Sequence, residues 1–185
     1  SIAAILIFIF ALNFKSVNSL SESPLKQAVA HFEELDNCRW MNPDHEIARG
    51  SSLFVNDRIE LSSGVAHIHF NTGAIMKLRG PSIVEVNSAN SAFLTLGRAA
   101  VIADTKESQG FSIKTPSSTF VDLGTAFAAC VGPDGLSRLD VTQGKVNLIV
   151  EQDHEHHIIQ AGEAIFVEPG ERKYLTKIES GDESK

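Results

Sequence analysis

The chain has 185 residues, 43% of them hydrophobic and 21% charged, a balance that belongs to a folded globular domain and excludes a disordered one. At this length one ordinary domain with appended end segments can bury a core without metal or disulfide support. The formal charge of -7 argues against a nucleic-acid surface, and the Lys and Arg residues are scattered singly apart from the adjacent Arg172 and Lys173.

The first element, Ser1 to Phe14, is an apolar run without an initiating Met. It is shorter than the roughly 20 residues that span a bilayer, so it reads as a signal-peptide h-region or the outer part of a cut transmembrane helix. A buried core helix fits less well, since no side of the run is polar enough to face water. Residues 15–28 turn to Ser and Asn and read as a polar linker. Within Leu25 to Phe32, Ser23-Pro24 followed by Leu25, Ala28, Val29 and Phe32 suits a capped helix, whereas the run from Val29 to Phe32 suits a first strand; the strand is preferred. The β-domain is then expected over 29–178, with a polar tail at 179–185.

From Leu53 onward the chain is a series of short alternating runs broken by turn signals. Ala66, Ile68 and Phe70 oppose His67 and His69. After a turn at 71–73, Ala74, Met76 and Leu78 alternate with Ile75, Lys77 and Arg79. Val84 and Val86 follow a break at 79–81, and Ala92, Leu94 and Leu96 resume after 87–91. Val121, Leu123, Thr125 and Phe127, then Val146, Leu148 and Val150, continue the pattern, and Ala164 and Phe166 mark the last clear strand. Such spacing, with Gly, Asn, Asp and Pro at the breaks, predicts an all-β sandwich, roll or barrel of many short strands.

Few residues suggest chemistry. His67 and His69 share one strand face, as two cupin metal ligands would, yet no carboxylate follows at the spacing a cupin needs; exposed polar-face histidines are the expectation. Residues 153–157 (DHEHH) read as a solvated loop able to take up adventitious zinc or nickel. Cys38 and Cys130 carry no metal-ligand spacing and read as separate half-buried thiols, with a disulfide open in an oxidising compartment. No nucleophile elbow, phosphate-binding loop, dinucleotide fingerprint or zinc-protease motif is present, and Glu33, Glu34 and Glu168 lack a partner that would mark an acid–base pair. Accordingly no catalytic residue, cofactor or metal is expected.

The order of the turn motifs resembles that of the FecR domain. The likeness is carried by Leu61 to Ala74 with Gly64 and Gly73, by Leu78 to Pro81 with Gly80 and Pro81, by Val84 to Val86, and by Ala92 to Arg98 with Gly97. It continues through Phe111 to Pro116 with Thr115 and Pro116, then Phe120 to Phe127 with Asp122, Leu123, Gly124, Thr125 and Phe127, and closes at Val141 to Val146 with Gly144. Cys38 to Trp40 fits a version found before many such domains. The family usually has an acidic residue where this chain has Ala126.

The resemblance implies a FecR-like β-roll or sandwich that works through protein contacts, with these motif residues in structural roles. It also implies a single-pass inner-membrane regulator with its β-domain in the periplasm. A cytoplasmic part preceding Ser1 would control an extracytoplasmic-function sigma factor, and an outer-membrane receptor, in iron uptake one loaded with ferric chelate, would deliver the signal. Relatives that join the domain to lectin-like modules make a spacer or carbohydrate-associated module the alternative, with a cupin-like metalloprotein behind it. Around Asp122, alternation places Val121 and Leu123 in the core and Asp122 and Gly124 on the other side, with Gly124 marking a bulge whose free N–H groups Asp122 accepts.

Overall fold

The computed structural model describes residues 27–44, 47–152 and 154–170 and the backbone of 174–179. The expected anchor, the linker as far as Lys26, and the tail beyond Glu179 lie outside the described residues. Among the described residues every regular element is a strand. The first five are β1 (Ala28–Trp40), β2 (Ser52–Phe54), β3 (Arg58–Phe70), β4 (Ile75–Ser88) and β5 (Ser91–Ala103). Then come β6 (Ser112–Lys114), β7 (Ser118–Asp122), β8 (Thr125–Val131) and β9 (Ser137–Gln143). The last are β10 (Lys145–Val150), β11 (His156–Gln160), β12 (Glu163–Val167) and β13 (Tyr174–Glu179). The ambiguous first segment is therefore strand from Ala28 onward. One expectation is corrected: His156 and His157, the last two residues of the 153–157 stretch, open β11 rather than lying in a loop.

All the strands belong to one open, mixed sheet that forks at β5. One edge of β5 pairs with β4, and beyond β4 lie β3, β1 and β2. The other edge is divided. Residues 97–103 run antiparallel to β8, while residues 91–93 run parallel to β6. One branch continues β6-β7-β10-β11 and the other β8-β9-β12-β13. The chain crosses between branches at 122–125, at Gly144, and at 161–162.

Both branches and the long strands bury one continuous core. It joins Ile68, Met76, Leu94 and Val101 of the long strands to Phe120 and Leu148 on one branch and Phe127 and Leu139 on the other. Each such side chain, once buried, contributes about 1.5–3 kcal/mol of transfer free energy. Phe70 and Phe111 meet edge to face with centroids 4.8 Å apart, which pins the loop before β6 to the end of β3.

The long strands owe their bend to a crease across their middles. In β3 the buried positions change from Ile59 and Leu61 to Ala66, Ile68 and Phe70, a change of parity at Gly64. In β5 they change from Ala92 and Leu94 to Ala99, Val101 and Ala103 across Gly97. The irregular register on both sides shows bulges there. A Cβ on Gly64 would collide with the Asn37 carbonyl of β1, one on Gly80 would lie 2.7 Å from Ser63 backbone, and one on Gly97 would collide with Ser82 and the Pro81 carbonyl. Gly97 also has φ +96°, which disfavours any L side chain. Leu96 is thereby corrected from its expected core position: it turns outward opposite Ile83.

Candidate functional site

The motif residues meet at the branch crossing between β7 and β8. Strand β7 directs Ser118, Phe120 and Asp122 into the interior, each at 0% exposure, because the large Phe120 side chain settles which face is buried. This inverts the expected register. Val121 is half-buried on the outer side, and Leu123, at 50% exposure, stands in the solvent-facing bend after the strand. Gly124 belongs to that bend and not to a bulge within a strand.

Asp122 organises the bend. One carboxylate oxygen accepts the Gly124 N–H at 2.9 Å, and the other accepts the hydroxyl of Thr125, itself buried. The Asp122 main chain is bonded to the segment before β6, its N–H donating to Phe111 and its carbonyl accepting from Gly110. Leu123 N–H donates to the Lys145 carbonyl, which ties this crossing to the one at Gly144. Gly124 (φ +90°) is required by backbone conformation, and Gly144 (φ +75°) by conformation and by space: a Cβ there would lie 2.5 Å from the Gly124 carbonyl oxygen. Burial pushes the Asp122 carboxyl above the usual carboxylate range, while the hydrogen bonds at Gly124 and Thr125 pull it back.

A second polar cluster lies at the turn from β6 to β7. The Thr115 hydroxyl donates to the Ser118 carbonyl at 2.9 Å and accepts the Ser118 N–H at 3.0 Å. Ser137 of β9 donates to Thr115 at 2.9 Å, and Ser117 lies 2.7 Å from Ser137 and 3.2 Å from the Val167 carbonyl of β12. Four buried hydroxyls therefore bridge the two branches. The Thr115-Pro116 motif indicated the turn; Ser117, Ser118 and Ser137 went unnoticed, because their meeting depends on β9 and β12 lying beside it. Pro116 itself lines an open groove of about 410 Å³ with Ile83, Leu96 and Pro133.

The remaining candidates lie apart from these clusters. Phe127 is buried in the core, Gly73 occupies the turn between β3 and β4, and Pro81 is exposed at the crease after a cis peptide bond. His67 and His69 lie on the outer face of β3, opposite the buried Ala66, Ile68 and Phe70. There His67 Nδ1 is 3.7 Å from Glu34 and the His69 ring is 5.3 Å from that of His31. Cupin ligands point into a barrel, which these do not. Cys38 and Cys130 are separate free thiols, each half-buried, and burial raises the pKa of both. Ala126 is half-buried on the outer face between Ile102 and Gln143.

Residues 56–147, from the turn before β3 into β10, match the family described as FecR protein. That span includes the crease glycines, the side chains of both polar clusters and the motif residues from Gly64 to Gly144. This stretch of the chain is a FecR domain. Two crystal structures of a candidate anti-sigma factor from Parabacteroides distasonis, at 2.50 and 1.65 Å resolution, share the fold. Each superposes with a TM-score of 0.55 at 19% identity, covering 68% and 66% of this chain respectively. The matches span 61% and 60% of those chains, so the FecR domain here corresponds to about three-fifths of the length of either neighbour. No curated protein matches the chain.

Proposed function

We propose that this FecR domain is the sensing and protein-binding part of a membrane-tethered regulator of an extracytoplasmic-function sigma factor. The observation that carries the reading is the family match over residues 56–147, whose buried polar motif residues Thr115, Asp122 and Thr125 are spent on the fold. Asp122 and Thr125 bond each other and Gly124, and Thr115 bonds the serines around it. Groups satisfied inside the fold in this way support a domain that acts by what its faces contact. The anti-sigma description of the structural neighbours supports the same reading. In its finer form the anchor lies in the inner membrane, the β-domain lies in the periplasm, and an outer-membrane receptor of an iron-uptake system supplies the stimulus.

Location and role are tested together. A periplasm-dependent reporter fused after Lys185 in the full-length protein is expected to be active, and deletion of the gene is expected to change transcripts that share one sigma-dependent promoter. A reporter active only in its cytoplasmic form would refute the location. A transcript profile unchanged by the deletion would refute the role.

A further inference from the structure

The outer face of β4 and β5 carries three exposed cations, Lys77, Arg79 and Arg98. Arg79 is directly opposite Arg98 in the β4–β5 register, and Lys77 is two residues from Arg79 on the same face. Like charges directly opposed across strands destabilise a sheet. Nothing nearby offsets this: among the described residues no carboxylate forms an ion pair with any of the three. The nearest acids on this face are engaged elsewhere. Glu34 faces His67, Asp36 accepts from Asn37, and Asp140 is taken by Arg138, which stacks on Phe166. In a chain of net charge -7 this is a local excess of positive charge. Farther along the same face Ile75 pairs with Ile102, which is 48% exposed.

We propose that this face docks an acidic peptide segment of a protein partner, with Lys77, Arg79 and Arg98 taking its carboxylates and Ile75 and Ile102 its apolar side chains. The spacing suits such a ligand. Adjacent strands are about 4.8 Å apart and alternate residues of one strand about 6.8 Å apart, close to the roughly 5–6 Å between side chains at i and i+4 on a helix. Guanidinium groups bind carboxylates in a two-pronged geometry that a solvated surface leaves unused. An anionic bilayer is the weaker fit, because the acidic remainder of the chain would be repelled by it. The assignment of the partner as a signalling protein rests on the regulator reading above.

The test uses the full chain, isotopically labelled, titrated with a peptide of about four helical turns carrying Glu and Leu at i and i+4 spacing. Chemical-shift changes are expected to centre on residues 75–79 and 98–102. Affinity is expected to fall at least about tenfold in the Arg79→Glu, Arg98→Glu double variant. Arg98→Glu alone places a carboxylate opposite Arg79, so it is expected to keep or raise Tm while weakening binding. Shift changes centred elsewhere, or double-variant affinity within about twofold of wild type, would overturn the proposal. So would binding to phosphatidylglycerol vesicles through these residues with none to the peptide. In cells, induction that survives the double variant but not deletion of residues 27–179 overturns the docking surface and leaves the regulator reading standing. Peptide binding at this face with transcription indifferent to the deletion would support the docking surface and remove the regulator reading.

Discussion

Asp122 holds a crossing between two branches of the sheet with both carboxylate oxygens, so its substitutions separate charge from hydrogen bonding. Asp122→Ala leaves the Gly124 N–H and the Thr125 hydroxyl without their acceptor and is expected to cost about 1–3 kcal/mol in denaturant unfolding. Asp122→Asn keeps an acceptor and is expected to cost less. The pH dependence has a definite sign. The folded-state pKa is raised, so the unfolded chain binds fewer protons between the two pKa values, and this group's contribution falls as pH climbs from about 4 through the folded pKa. Unfolding midpoints across that window are expected to show wild type gaining on Asp122→Asn as pH is lowered; the opposite trend would remove burial as the dominant influence. At the crease, Gly97→Ala is expected to cost more than Gly162→Ala: both have positive φ, but only Gly97 faces Ser82 and Pro81, while nothing lies within 4 Å of a Cβ on Gly162. The sequence marked Asp122 and Gly124 as a linked pair, yet it misplaced their faces. Val121 and Leu123 look like an inward pair by polarity, and Phe120 outweighs them in the folded strand because it is larger and excludes more water.

Between elements, the hydroxyl cluster at Thr115 is what joins the β6–β7 turn to β9 and β12. Thr115→Val preserves shape but removes both the donor to Ser118 and the acceptor for Ser137, and equilibrium unfolding is expected to show a loss of about 1–3 kcal/mol. A loss no larger than that of a half-buried Thr95→Val control would show that the cluster contributes nothing beyond its packing. The central strands were legible because one of their faces is buried, which imposes strict alternation on residues such as Ala66, Ile68 and Phe70. The bulges were not, since the parity change at Gly64 and Gly97 depends on a neighbouring backbone approaching too closely for a side chain. The Arg79–Arg98 pair was equally hidden. In the sequence these are single basic residues 19 positions apart, and only the register sets them side by side.

For the whole molecule, one continuous core is shared by both branches, so the two are expected to unfold together. Fluorescence of Trp40, which packs on Phe32 at one end, and far-ultraviolet dichroism are expected to report coincident transitions. Among the described residues no three metal-ligating side chains form a group, so chelation is expected to move Tm by less than about 2 °C. The all-β class and the family were legible in the order of the turn motifs; the forked topology was not, because the division of β5 between two partners lies in its pairing and not in its residues. The proposed regulatory role depends most directly on whether this domain relays a stimulus. The decisive measurement is stimulus-dependent transcription from the promoter of the cognate sigma factor's targets, in cells whose chromosomal allele lacks residues 27–179 in frame and retains every flanking segment. The regulator reading predicts that the transcript no longer responds to the stimulus; a response of unchanged size and threshold would contradict it.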